Sequence, residues 1–121
     1  MAERKEGYLE KRGKGSSALG RQNWKRRWFV LEGSSLSYYD KENSSKPIKS
    51  LPIRNSDTVE DFKFDKNSGH PPHTQWTFRL LTHKRVLEMC AETEGERLAW
   101  MNALRAHIKT SPDYTLAERS Q

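Results

Sequence analysis

Trp24-Lys25-Arg26-Arg27-Trp28-Phe29-Val30-Leu31 sets cationic side chains directly against large apolar ones. An extended strand alternates its side chains between two faces, so Lys25 and Arg27 share a face with Phe29 and Leu31 further along. A core does not accept two unpaired cations. The first half of this strand is therefore expected to line an open mouth, and the second half to enter a core. Such a mouth suits an anionic ligand.

Neighbouring segments extend the pattern. Gly7 to Arg12 reads as a preceding strand with Leu9 and Lys11 on one face, and Leu36 to Asp40 as a following strand with Leu36 and Tyr38 together. Between the first two strands, glycines and serines with Lys14 and Arg21 form a cationic loop around Ala18 and Leu19. If the strands reverse direction in turn, Leu9, Phe29, Leu31 and Leu36 are expected at one inward level. Lys11, Lys25, Arg27 and Tyr38 are then expected at another level, nearer the first loop. Three separate alternations thus converge on one cationic pocket.

The chain continues with expected strands at Pro47–Ile53, Thr58–Phe64, Gln75–Leu81 and Arg85–Ala91, the last two joined by a polar turn. The prolines of the fourth strand favour a sheet edge. The period then changes. Thr93 and Glu96 match a capping box, and Leu98, Met101, Leu104 and Ile108, with Trp100 alongside, recur at helical spacing. A helix over Glu94–Lys109 with one apolar face would plug a barrel end, and Ser111-Pro112 would stop it.

The composition agrees with a small core and long polar loops: of 121 residues, 33% are hydrophobic and 31% charged, yet twelve are aromatic. This length supplies one domain. The net charge of +6 is unevenly placed. Residues 1–30 hold nine Lys/Arg against three acids, while the rest hold 13 against 13. A polarised surface of this kind docks on something anionic. The single cysteine, Cys90, excludes an intrachain disulfide and a multi-cysteine metal site. No apolar run approaches the ~20 residues that span a bilayer, and the charged start has no signal-peptide pattern. The expected location is cytoplasmic, with any membrane contact peripheral and made by the folded domain.

Seven strands closed by one amphipathic C-terminal helix form a mainly β, antiparallel barrel or sandwich. With Gly7-Tyr8-Leu9-Glu10-Lys11, the Trp24–Leu31 run, Leu36-Ser37-Tyr38-Tyr39 and Trp100, this pattern resembles the pleckstrin homology (PH) domain. The likeness covers residues 6–109, leaving 1–5 as an N-terminal extension and 110–121 as a tail. Within that family, the subset that reads inositol lipids phosphorylated at the 3-position carries basic residues and a tyrosine at positions matching Lys11, Lys25, Arg27 and Tyr38. The resemblance thus selects the residues that side-chain alternation had already brought together.

The resemblance implies a phosphoinositide-binding module for phosphatidylinositol 3,4,5-trisphosphate or the 3,4-bisphosphate, recruiting itself or a host protein to the plasma membrane. Lys11 and Arg27 would contact the 3-phosphate, Lys25 adjacent headgroup oxygens, and the Tyr38 hydroxyl the 4-phosphate region. Arg12, Lys14, Arg21, Lys46 and Lys49 would contribute secondarily, and Ala18 and Leu19 would touch the membrane. Arginine's planar fork suits phosphate, and lysine acts as a mobile point charge.

Other classes fit less of the sequence. Trp24 and Trp28 would stack bases in a nucleic-acid binder, but no further feature supports one. A protein-interaction PH domain with weak anionic-lipid binding is the main alternative. The His70-Pro71-Pro72-His73 segment reads as an exposed turn rather than a metal site, no cofactor is implied, and no nucleophile–base or carboxylate pair points to catalysis.

Overall fold

The computed structural model describes residues 2–13 and 23–113. Seven antiparallel strands run β1 (Lys5–Arg12), β2 (Trp24–Glu32), β3 (Ser35–Tyr39), β4 (Lys49–Pro52), β5 (Thr58–Asp61), β6 (Thr77–Leu81) and β7 (Val86–Cys90). A single 3-10 turn at Lys66–Ser68 interrupts the β5–β6 loop, and the helix α1 (Glu94–Lys109) follows β7. The strand order is β4-β3-β2-β1-β7-β6-β5. β1 pairs with β2 along its whole length but meets β7 only at Glu10 and Lys11. The end of β1 therefore joins two halves of one folded-over sheet.

Both interior faces are apolar. Leu9, Phe29, Leu31 and Leu36 from the first half face Phe78, Leu80, Leu87 and Met89 from the second, all at most 2% exposed. Each such side chain stabilises the fold by about 1.5–3 kcal/mol relative to leaving it in water. The β2–β3 turn places Gly33 at φ 57°, a left-handed conformation that glycine adopts without strain.

α1 closes one end of the barrel. The Thr93 side chain accepts a hydrogen bond from the Glu96 amide at 3.1 Å, and Glu94 and Glu96 lie in the first turn, where the helix dipole favours acids. Its buried face is Trp100, Met101, Leu104, His107 and Ile108. Leu98, expected on that face, is instead 48% exposed. His107 takes the place in the core that periodicity assigned to apolar residues alone. Its two ring nitrogens lie 2.7 Å from the Gly33 and Glu3 carbonyl oxygens, tying the helix to both segments.

Beyond the helix, Ser111 is buried and donates to the His107 carbonyl, while the Pro112 carbonyl accepts from Asn55. The first residues of the expected tail are thus packed onto the domain. Residues 114–121 lie outside the described range.

Four expected strands are shorter than their patterns, β6 starting at Thr77 rather than Gln75 and β7 spanning Val86–Cys90 rather than Arg85–Ala91. β5 stops at Asp61 rather than Phe64, because the Phe62 carbonyl turns to the Thr77 side chain. β4 begins at Lys49 rather than Pro47, since proline has no N–H to donate to a ladder.

Candidate functional site

The end of the barrel where β1 leaves and β2 enters gathers the cations. Register places Lys11 opposite Lys25 and Leu9 opposite Arg27 on the β1–β2 ribbon. It places Phe29 opposite Tyr38, and Tyr38 opposite Lys49 across β3 and β4. Side-chain parity therefore holds: Lys11, Lys25, Arg27 and Tyr38 share the inner face. The expected levels do not hold. Leu9 sits level with Arg27 instead of Phe29, and Tyr38 sits one rung deeper, level with Phe29.

Like charges placed directly opposite on a sheet destabilise it. Lys11 registers that cost. Burial first, and then Arg85, Arg27, Lys49 and Lys25 in that order, push its amine down to about 8. The ammonium lies 5.1 Å from the centroid of the Tyr38 ring and 3.5 Å from the Arg12 carbonyl, so it is held by weak contacts while surrounded by like charge. Arg27 has one carboxylate partner, Asp40, at 3.0 Å, with the Arg27 side chain 22% exposed. Asp40 is the only acid paired with this group of cations among the described residues.

Tyr38 is 6% exposed, its ring 5.4 Å from that of Phe29. Its evident part is to carry Lys11 on its ring face. Two further cations belong to the group. Lys49 and Arg85 both act on Lys11, and both line a cleft of about 400 Å³ between β4 and the β6–β7 turn. Thr82, His83, Lys84 and Arg54 complete its polar wall, over an apolar floor that includes Leu80 and Leu87. The Arg85 Nε is buried with no hydrogen-bond acceptor. A buried donor in that state favours any anion that reaches it.

Sequence reasoning gave Lys49 a secondary place and missed Arg85. The signal for Arg85 is topological: the last residues of β7, Met89 and Cys90, pair antiparallel with Lys11 and Glu10, so the start of β7 and Arg85 before it lie past the end of β1. No local motif carries that information.

The remaining expected residues lie elsewhere. Arg12 is turned to the outer face, where it binds Glu88 at 3.2 Å and packs against Trp24 and Phe64. With its side chain 9% exposed, it is a structural cation and stands apart from the inner-face group. Lys46 is exposed in the β3–β4 loop, also outside the group. Lys14, Arg21, Ala18 and Leu19 fall outside the described residues.

The tryptophans considered for base stacking are engaged within the domain. The Trp24 indole donates to the His70 carbonyl at 3.1 Å, and Trp28 meets Tyr8 edge to face at 4.8 Å. Arg26, on the outer face, lies 3.7 Å over the Tyr8 ring. Among the described residues no helix is long and apolar enough to cross a membrane.

Comparison with known proteins gives a consistent result. A family model for the PH domain matches residues 3–109. The RAC family serine/threonine-protein kinase homolog of Dictyostelium discoideum is 33% identical over 99 residues, covering 82% of this chain and 20% of the kinase. The probable serine/threonine-protein kinase roco6 of the same organism is 31% identical over 117 residues, 93% of this chain but 5% of that protein. The chain thus spans a fifth or less of these relatives.

Among solved structures, the C-terminal PH domain of human pleckstrin superposes with a TM-score of 0.70 at 26% identity, covering 88% of this chain and 87% of that one. The C-terminal PH domain of pleckstrin in complex with D-myo-Ins(1,2,3,5,6)P5 gives a TM-score of 0.67 at 26% identity, covering 86% and 93%.

Proposed function

This chain belongs to the PH domain family, a family of non-catalytic modules, and from that premise we propose that its inner-face cations bind a polyphosphorylated inositol headgroup. The lipids assigned are phosphatidylinositol 3,4,5-trisphosphate and the 3,4-bisphosphate, and binding would carry this chain, with any host protein, to the cytoplasmic face of the plasma membrane. One observation carries the reading: Lys11 stands directly opposite Lys25 on the inner face of the β1–β2 ribbon, with Arg27 on the same face. A protein that held this cluster for stability alone would place acids among the cations. Here, among the described residues, the acid paired with the cluster is Asp40, on Arg27. A headgroup with several dianionic phosphates supplies the missing negative charge at several points at once.

The likeness to the 3-phosphoinositide-reading subset of the family suggests the roles. Arg27 offers its fork to the 3-phosphate, exchanging the Asp40 carboxylate for it. Lys11, poised on the Tyr38 ring, reaches the same phosphate, and Lys25 at the strand entrance meets neighbouring oxygens. Lys49 and Arg85 flank the cleft next to them and take a second phosphate. Pleckstrin's C-terminal PH domain, solved with inositol pentakisphosphates, supports the ligand class. Attraction to the anionic leaflet adds about 1 kcal/mol for each further cation near the surface.

Calorimetric titration of inositol 1,3,4,5-tetrakisphosphate against inositol 1,4,5-trisphosphate tests the reading. The expected result is a preference of at least about tenfold for the former, equivalent to about 1.4 kcal/mol. Equal affinities would remove the 3-phosphate assignment. Absence of binding to either would leave a protein-interaction domain.

A further inference from the structure

A second cleft, of about 660 Å³, lies on the flank of the domain between the β5–β6 loop and the start of α1. It adjoins the open end of the β6–β7 hairpin, where β6 begins at Thr77, whereas the cleft lined by Lys49 and Arg85 lies at the β6–β7 turn. Phe62, Phe64 and Trp76 line it with their rings half-buried, and Lys63, Lys66 and Arg97 supply its charge against one acid, Asp61.

Arg97 is the unusual member. Its side chain is 15% exposed, it lies 5.3 Å over the Trp76 ring, and its nearest carboxylate, on Asp61, is 3.9 Å away. Its Nε is buried without any acceptor. A guanidinium stacked on an aromatic ring, with a donor left over, is built to receive a carboxylate next to an apolar group.

We propose that this flank cleft docks an acidic peptide segment of a protein partner. A carboxylate of that segment would reach Arg97, and an adjacent apolar side chain would rest against Trp76 and Phe62, Phe64 being taken up by Arg12 and Trp24. Lys63 and Lys66 steer the remaining acids. Because this cleft shares no lining residue with the one beside Lys49 and Arg85, both can be occupied together. The proposal does not rest on the lipid reading.

The test is a titration of the full chain, followed by its backbone, indole and arginine N–H resonances, with the capped heptapeptide EDEFEDE and with EDEGEDE, KSKFKSK and tripolyphosphate as comparisons. EDEFEDE is expected to shift the Trp76 indole and Arg97 Nε–H signals, with at least about fivefold weaker binding for EDEGEDE and none for KSKFKSK. Arg97→Gln, and separately the exposed pair Lys63→Glu with Lys66→Glu, should each weaken EDEFEDE by about fivefold or more. Lys25→Ala with Arg27→Ala should leave the Trp76 shift unchanged, which separates this site from the lipid pocket. The proposal is overturned if the peptide shifts only residues around Lys11 and Arg27, if both charge variants bind undiminished, or if tripolyphosphate reproduces the Trp76 shift.

Discussion

On the outer face of the β1–β2 ribbon, Arg12 binds Glu88 and stacks between Trp24 and Phe64, and Arg26 covers the Tyr8 ring. On the inner face, one residue away along β1, Lys11 looks across at Lys25 and is crowded by three more cations. Both faces are basic, but outer charge is matched by protein groups and inner charge is mostly left to repel itself. The difference teaches where to look for a ligand: a domain that keeps uncompensated cations together at one rim weakens its own fold there, and an arriving polyanion reverses the penalty.

The comparison breaks first at Arg27. Arg27→Ala removes the fork that β2 contributes to the inner face and should lower affinity for inositol 1,3,4,5-tetrakisphosphate by about 50-fold, or about 2.3 kcal/mol, within the range for a charge-assisted bidentate contact. Its melting temperature should change little, since Asp40 is itself 60% exposed and removing Arg27 also relieves the like charge around Lys11. A loss of affinity that tracked loss of fold would erase the distinction between the two faces.

Arg12→Ala is the mirror experiment. It strands Glu88 and removes packing from Trp24 and Phe64, so it should cost about 2 kcal/mol of stability in urea unfolding. Headgroup affinity of the folded protein should stay within about twofold of the original. Were the two substitutions to exchange phenotypes, the outer face would be the binding face.

Asp40→Asn sharpens the contrast by a smaller step. The carboxylate at 3.0 Å competes with phosphate for Arg27. Neutralising it should raise headgroup affinity by about threefold, roughly 0.6 kcal/mol. Weaker binding in calorimetry would mean that Asp40 orients Arg27 instead of competing for it.

Much of this was legible before any coordinates. Strand β2 and helix α1 have the bounds that their alternation and capping pattern predict, because each signal is local: period two in one, period 3.6 behind Thr93 in the other. The shared face of Lys11, Lys25, Arg27 and Tyr38 was also legible, since parity survives any shift in register by whole rungs. What parity could not supply was the rung itself. Gly7, not Leu9, stands opposite Phe29, and this sets Tyr38 deeper than expected.

Nor could local pattern find Arg85. It closes the Thr82 turn through its carbonyl, bonded to the Thr82 amide at 2.9 Å, and reaches the site only because β7 pairs with the end of β1. Arg12 failed for the opposite reason. Composition counted it among the N-terminal cations, whereas its partner Glu88 lies 76 residues away in sequence. His107 occupies a helical core position through two carbonyl contacts that no spacing rule encodes.

The central claim is that Lys11 sits among uncompensated cations awaiting a polyanion, and its side-chain titration reads this directly. Burial, and after it crowding by like charge, lowers the amine, so the free protein should release the Lys11 proton near pH 8. Between that point and the ordinary lysine value, the unfolded chain still holds the proton. Stability should therefore rise with pH across this window, while headgroup affinity should fall as the charge is lost.

Following the Lys11 Cε and Nζ resonances against pH, with and without saturating inositol 1,3,4,5-tetrakisphosphate, the account predicts a midpoint of about 8 in the free protein. With the headgroup bound, it predicts a clear upward displacement and net proton uptake near pH 8 to 9. A free-state midpoint at the ordinary lysine value, unmoved by the headgroup, would contradict it.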